Sequence, residues 1–266
     1  MRKITHLILG VTILSGLLMA CDNAASENRS LVNILLVDAP GDFEQVWIEV
    51  LGVEILPAGS RGSAENASWI HLPYQAASNM VRISDLVNEE RLLIGRTEIQ
   101  SGMVSKIRLL LGNELYLIQD EIRIDLDKDS DFENKLEIDI NVNALPGNSY
   151  DIYLDFDLAR SVVRSSGGNY QLDPRIRAFE SGVTAVIRGS ILPRNVNSHV
   201  YVRSDTDTLT TLTGSNGGFY LQGIPPNDYQ ITIYAPEIYK DTAFNVSVQA
   251  DTLLTVPTIT LRPQLP

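Results

Sequence analysis

The sequence predicts an all-β protein with two antiparallel β-sandwich domains in tandem. Short segments rich in β-branched and aromatic residues recur along the chain, and each is bounded by Gly, Pro, Asn or Asp. Long stretches with helical periodicity are absent. The chain has 266 residues, which is more than one hydrophobic core usually needs. These three observations together favour two β domains.

The chain begins with a short basic start and an apolar run that ends at a cysteine. The run Leu7–Ala20 is shorter than the roughly 20 residues that span a membrane, so residues 1–20 are typical of a signal peptide. Its ending, Leu18-Met19-Ala20-Cys21, resembles the lipobox of bacterial lipoproteins, in which the cysteine thiol carries a diacylglycerol. The resemblance predicts a lipid on Cys21. Residues 21–30 are small and polar and would form the lipidated tether.

In the N-terminal domain, placed at residues 31–180, the residue pattern predicts eight strands. They are Val32–Val37, Gln45–Ile55, Ser68–Leu72, Val104–Leu111, Glu114–Ile118, Glu121–Leu126, Leu136–Val142 and Tyr150–Phe156. Gly52 interrupts the second strand and predicts a bulge. Ser84–Arg91 offers a capped turn or two of helix, and Leu158–Arg164 offers another turn.

A polar break near Glu180–Val183 predicts a domain boundary, with a second domain at residues 184–262. Seven short strands are predicted beyond it, with turn residues between them, as in a Greek-key sandwich. They are Thr184–Ile191, His199–Ser204, Thr208–Thr213, Phe219–Leu221, Tyr229–Tyr234, Ala243–Gln249 and Thr255–Leu261.

Two family resemblances accompany this pattern. The N-terminal domain resembles the bacterial lipoprotein domain of unknown function 4382, which brings no established activity. The segments that carry this resemblance are Leu36–Phe43, Lys106–Leu109, Leu154–Val163 and Tyr170–Arg177. Where such domains tend to carry a Pro-Ser-Gly type segment, this chain has the acidic loop Asp127–Glu133.

The C-terminal domain resembles the carboxypeptidase regulatory-like, prealbumin-type domain. The resemblance is carried by Gly189-Ser190-Ile191, Val200-Tyr201-Val202, Thr213–Leu221 and Gly223–Tyr229, in that order. It implies an accessory sandwich without catalytic function.

Composition and motifs argue against several functions. Without the signal peptide, 19 basic residues face 33 acidic ones, so nucleic acid and anionic lipid headgroups are poor partners. The single cysteine excludes an intrachain disulfide. No G-x-S-x-G, H-E-x-x-H or P-loop motif occurs, and the histidines of the mature chain, His71 and His199, fall in different domains. We therefore expect a protein that is not an enzyme.

Acidic residues are concentrated between Asp120 and Asp157, where twelve acidic side chains face three basic ones. Strand alternation directs several of them outward, namely Asp125, Asp127, Glu137, Asp139, Asp151, Asp155 and Asp157. If their three strands are neighbours, they form a carboxylate field that needs a cation or arginines to offset its repulsion. The candidate arginines are Arg160, Arg164, Arg175 and Arg177.

The loop between two of these strands has the alternating acids of a calcium loop. Its candidate ligands are Asp127, Asp129, Asp131 and Glu133. It is not an EF-hand, because Phe132 stands where that loop needs glycine. Calcium is thus the one candidate cofactor, and a solvated hairpin tip is the alternative.

The sequence as a whole predicts a non-enzymatic cell-envelope lipoprotein, anchored through Cys21, that acts as a surface binding or scaffold module. We expect it in the outer membrane, exposed at the surface, with an extracellular protein or glycan as partner. A calcium- or glycan-binding adhesin-like module and an enzyme acting on extracellular polymer remain as alternatives.

Overall fold

Two separate hydrophobic cores organise the protein. The computed structural model describes residues 28–39, 43–58, 68–87, 89–128, 134–165 and 167–264. One core draws its buried residues from Val32 to Leu172, and the other draws them from Ala185 to Leu261. The predicted all-β fold class is confirmed. The predicted signal peptide (residues 1–20) and Cys21 lie outside the described residues. Among the described residues, no helix is both long and apolar enough to cross a membrane.

The described residues of the N-terminal region form thirteen strands and one short helix. The strands are β1 (Arg29–Ala39), β2 (Gln45–Pro57), β3 (Ile70–Pro73), β4 (Met80–Arg82), β5 (Leu92–Gln100), β6 (Gly102–Gln119), β7 (Ile122–Asp125), β8 (Asp127–Lys128), β9 (Lys135–Ala144), β10 (Ser149–Asp157), β11 (Val162–Arg164), β12 (Tyr170–Leu172) and β13 (Ile176–Glu180). The helix is α1 (Leu158–Ser161), and 3₁₀ turns occupy Ile83–Asp85 and Ser181–Val183.

Two sheets enclose the first core. A six-stranded sheet has the order β3-β2-β6-β7, with β4 also on β2 and β9 also on β6. A four-stranded sheet has the order β13-β10-β1-β5. All these pairs are antiparallel except β1 with β10, which run parallel. A parallel pair needs a long connection, and here most of the domain lies between the two strands. A small sheet, β11-β12-β8, lies beside them.

Local structure differs from the sequence prediction at β6 and at Ser84–Arg91, and it agrees with the prediction at Gly52. The two predicted strands Val104–Leu111 and Glu114–Ile118 are one strand, β6. The predicted helix Ser84–Arg91 is reduced to a single 3₁₀ turn, because the chain must extend again for the unpredicted strand β5. The predicted bulge is confirmed, since the register of β2 against β6 shifts between Val50 and Gly52. Gly52 has φ +148°, and a Cβ there would lie 2.4 Å from the Leu72 carbonyl oxygen.

The C-terminal region is a second sandwich, in which six of the seven predicted strands are found and the predicted strand Thr255–Leu261 is replaced by two short strands. Its strands are β14 (Ala185–Leu192), β15 (His199–Arg203), β16 (Thr208–Leu212), β17 (Gly218–Ile224), β18 (Asn227–Tyr234), β19 (Tyr239–Lys240), β20 (Thr242–Val248), β21 (Leu253–Thr255), β22 (Ile259–Thr260) and β23 (Arg262–Pro263). One sheet has the order β17-β14-β21, with β22 also on β14, and the other has the order β16-β15-β18-β20. The pairs of β14 with β21 and with β22 are parallel.

A polar and aromatic contact joins the two sandwiches at the outer face of the four-stranded sheet. Arg177 on β13 donates its Nε hydrogen to Asp155 Oδ2 on β10 at 2.8 Å. Its Nη atoms donate to the carbonyl oxygens of Gly223 (2.7 Å) and Gln222 (2.6 Å) on β17. One guanidinium therefore connects both domains.

An aromatic pair lies beside this guanidinium. The rings of Tyr153 and Phe179 stack with centroids 5.2 Å apart and planes 6° apart. Gly223 has φ +67°, and a Cβ there would lie 2.3 Å from the Phe179 ring. The domain contact thus requires glycine at position 223.

The Arg177 contact can be tested by comparing two arginines. Arg177→Ala leaves the buried Asp155 carboxylate without its cation, so we expect the free energy of unfolding to fall by about 2–5 kcal/mol. Arg175→Ala removes a guanidinium that pairs with Asp173 at the surface and should cost less than about 1 kcal/mol. Urea unfolding measures both. Equal losses in the two variants would contradict a joining role for Arg177.

Candidate functional site

Three of the four segments that carry the N-terminal family resemblance converge at one end of the four-stranded sheet, while Lys106–Leu109 lies in β6 of the other sheet. Asp38, at the end of β1, accepts a hydrogen bond from the backbone N–H of Leu158 on α1 at 3.2 Å. The Ser161 hydroxyl accepts one from the backbone N–H of Arg175 at 2.8 Å. Three segments distant in sequence are thereby held around a helix of four residues. The rest of the site is built on this junction.

A groove opens between this junction and the C-terminal sandwich. Its first part, about 340 Å³, is lined by Asp155, Asp157, Arg160, Pro174, Arg175, Ile176 and Arg177, and by Thr208, Leu209 and Thr210 of β16. Its second part, about 390 Å³, shares Asp157, Arg160, Thr208 and Thr210 with the first and adds Ala159, His199, Tyr201, Thr211 and Leu212. The two parts therefore adjoin each other. We call the whole the interdomain groove, and its size is that of ordinary ligand sites.

The charged groups of the groove largely neutralise one another. Asp155 is 6% exposed and pairs with Arg177. Asp157 Oδ2 lies 3.8 Å from Arg160 Nη1, and Arg175 pairs with Asp173. Of the four arginines predicted to offset the acidic strands, Arg160 and Arg177 pair with acids of that set, and Arg175 pairs with Asp173 instead. The fourth, Arg164, lies over the Tyr170 ring at 4.7 Å.

Asp157 is the groove carboxylate whose ionisation is altered. Burial raises the pKa of its carboxyl above the ordinary value of 3.8, against the opposing hydrogen bond from the Arg160 backbone N–H. That N–H donates to Asp157 Oδ1 at 3.1 Å and caps helix α1. Asp157 therefore links the start of the helix to the groove wall.

The opposite wall carries an aromatic cluster on the outer face of the C-terminal sheet. The rings of Tyr201 and Tyr234 meet edge to face with centroids 5.1 Å apart. The Arg203 guanidinium lies over the Tyr201 ring at 4.7 Å. His199, on the same strand as Tyr201, lines the second part of the groove. This wall offers hydroxyl groups, ring edges and the guanidinium of Arg203.

The prediction that three neighbouring strands form a carboxylate field is wrong. Strands β7 and β9 both pair with β6, but β10 belongs to the other sheet. Asp155 is buried, although alternation placed it outward, because the C-terminal sandwich covers that face. Ile122, predicted to face the core, is 62% exposed in the edge strand β7.

The acids that do share the six-stranded sheet have basic neighbours. Arg108 donates its Nε hydrogen to Glu137 at 2.8 Å and lowers the pKa of the Glu137 carboxyl. Lys106 Nζ lies 3.3 Å from Asp139, and Arg123 donates to Asp125 at 2.9 Å. Arg108 and Lys106 across the strand pair, and Arg123 within β7, therefore supply the positive charge that a bound cation was invoked to supply.

Of the candidate calcium ligands, Asp129, Asp131 and Glu133 lie outside the described residues. The fourth, Asp127, accepts a hydrogen bond from Asn169 Nδ2 at 3.1 Å. In the part of the chain that the structure describes, no group of three or more His, Cys, Asp or Glu side chains could hold a metal ion. Calcium at this loop stays a prediction.

Sequence reasoning missed the groove, although it named parts of it. The arginines were identified as partners for acidic strands, and Thr208–Thr213 was identified as a strand. The missing information was that β16 is the outermost strand of its sheet and faces α1. Strand order is set by long-range pairing, which residue alternation does not encode.

Comparison with known families identifies the N-terminal domain. Residues 29–174 match the family described as a domain of unknown function (DUF4382). The chain belongs to this family. Seven of the ten residues that line the first part of the groove fall in the segments that suggested the resemblance. No curated protein matches the sequence.

Several solved structures are similar over most of the chain, at low identity. The TIE protein of Bacillus anthracis has 8% identity and a TM-score of 0.27 over 89% of this chain, which spans only 34% of that protein. A streptococcal ancillary pilin has 8% identity and a TM-score of 0.26, over 88% of this chain and 69% of the pilin. The shaft pilin SpaA from Lactobacillus rhamnosus GG has 9% identity and a TM-score of 0.27, over 90% of this chain and 99% of the pilin.

The raised pKa of Asp157 predicts a pH-dependent stability. The folded protein holds the Asp157 proton more tightly than the unfolded chain does. The stability that this proton contributes to the fold is therefore present at low pH and is lost as pH rises through the raised pKa. Asp157→Asn keeps an oxygen for the helix cap and removes the ionisation. We expect this variant to be more stable, relative to wild type, at about pH 7 than at about pH 3, as measured by its free energy of unfolding.

The matched control is Asp173→Asn, which removes a carboxylate that is about half exposed. Both variants lose one negative charge, so the control shows how much of the effect comes from the change in net charge alone. A difference between Asp157→Asn and wild type that does not change with pH would contradict this assignment.

Proposed function

We propose that this chain is a non-enzymatic cell-envelope lipoprotein whose interdomain groove binds an extracellular partner. The observation that carries the proposal is the groove itself. Two sandwiches with separate cores are joined by Arg177, and the contact leaves adjoining cavities of about 340 and 390 Å³ beside it. A cleft between domains, with a few fixed polar groups, is the usual place of a ligand site.

Membrane attachment belongs to the proposal through Cys21. The lipobox resemblance supports a diacylglycerol at that residue, and the polar stretch behind it would hold the folded domains off the membrane. We place the protein in the outer membrane with its domains exposed at the surface. Residues 31–180 and 184–262 would be its two domains, the second of the carboxypeptidase regulatory-like type.

The groove chemistry favours binding over catalysis. Asp155, Asp157 and Asp173 each lie beside an arginine, which holds their charge in place. A general base needs a free carboxylate or imidazole close to the atom it deprotonates. His199 lies at the exposed end of the groove, and His71 lies on the six-stranded sheet 3.9 Å from Glu54. Groups fixed in this way suit recognition of a ligand by shape and hydrogen bonding.

Site-specific photocrosslinking in intact cells tests this function. A benzoylphenylalanine in place of Thr208 would stand in the groove, and the same residue in place of Asn245, on the exposed strand β20, is the control. We expect irradiation to give a discrete crosslinked species from position 208 and none from position 245. No adduct from position 208 in cells that grow in their normal medium, or the same adduct from both positions, would contradict the proposal.

A further inference from the structure

The C-terminal wall of the groove is an unprotected sheet edge. β16 pairs with β15 alone and ends the order β16-β15-β18-β20. Natural edges are usually blunted by a charged residue, a proline or a bulge. The sequence of β16, Thr-Leu-Thr-Thr-Leu, contains no charge and no proline, and its register against β15 is unbroken. Its backbone can therefore accept another strand.

The pairing pattern shows which backbone groups point into the groove. The Ser204 N–H donates to the Asp207 carbonyl, and the Thr213 N–H donates to the Ser198 carbonyl, so both ends of the β15–β16 pair are hydrogen-bonded positions. Antiparallel pairs alternate between bonded and non-bonded positions. Leu209 and Thr211 are thus bonded to β15. Thr208, Thr210 and Leu212 turn their N–H and C=O groups away from it.

These outward residues all line the cavities, together with Leu209 and Thr211 of the same strand. Thr208 and Thr210 border both parts of the groove, and Leu212 borders the second part. Within the described chain, β16 has no other strand partner for these groups. The edge thus presents three donor and acceptor pairs, at alternate residues, to a space walled on its other side by Asp157 and Arg160.

We propose that the interdomain groove binds an extended peptide segment of a partner protein, which adds to β16 as a further strand. This inference rests on the proposed binding function of the groove and deepens it. Main-chain hydrogen bonds to Thr208, Thr210 and Leu212 supply the affinity, as in other cases of strand addition. Because Asp155 and Asp157 of the opposite wall are already paired with Arg177 and Arg160, the peptide is uncharged where it faces that wall.

Hydrogen exchange at single amides tests the strand addition. The probe is a blocked eight-residue peptide of alternating threonine and valine, added to the full chain. At about ten times its Kd, we expect the amides of Thr208, Thr210 and Leu212 to exchange about tenfold more slowly, since only the unbound fraction exchanges. The amides of Leu209 and Thr211 should not change, because β15 already protects them.

Two matched reagents sharpen the test. The same peptide methylated at every backbone nitrogen has no amide donor on either edge and should protect nothing. Thr210→Pro removes one outward N–H but no bond to β15, so it should abolish protection by the unmethylated peptide. Should this variant fail to fold, the methylated peptide still decides the question.

Several outcomes would overturn the inference. These are no protection at millimolar peptide, equal protection of all five β16 amides, equal protection at the opposite edge strand β20, or protection that arises from dimers of the chain without peptide. If position 208 crosslinks a partner in cells but the peptide gives no alternating protection, the binding function stands and strand addition fails.

Discussion

The arrangement of the two sandwiches depends on one guanidinium. Arg177 holds the buried carboxylate of Asp155 on one sandwich and two carbonyl oxygens of β17 on the other. A carboxylate that is 6% exposed would be costly without this cation, and the β17 carbonyls give the same cation its remaining partners. The Tyr153–Phe179 stack fills the space beside it, and Gly223 lets the β17 backbone approach the Phe179 ring. The groove exists because the two sandwiches meet at this point.

The same contact connects the family segments to the C-terminal sandwich. Asp38 and Ser161 hold β1, α1 and the chain before β13 together, and this junction is one wall of the groove. The other wall is β16, whose free edge faces it. Neither sandwich forms the groove alone. Binding by this protein is therefore expected to depend on the domain arrangement as much as on any single side chain.

The sequence predicted the fold class and most strands, because burial of one sheet face leaves an alternating pattern. It also predicted the bulge at Gly52. It missed β5, where Gly95, Arg96 and Glu98 break the apolar pattern. It misplaced Asp155, since alternation assigns one face to solvent and cannot show that a second domain covers it. The groove was not predictable because it depends on strand order and on contacts more than twenty residues apart, such as Asp155 with Arg177.

The central claim is that the two sandwiches form one body with a fixed groove between them. Nitroxide labels on cysteines at Gln100 of β5 and Asn245 of β20, in a Cys21→Ser background, report the distance between the domains by electron paramagnetic resonance. Both positions are exposed. A single narrow distance distribution, which broadens when Arg177 is replaced by alanine, is the result that this account predicts. A broad distribution in the chain with Arg177 intact would contradict it.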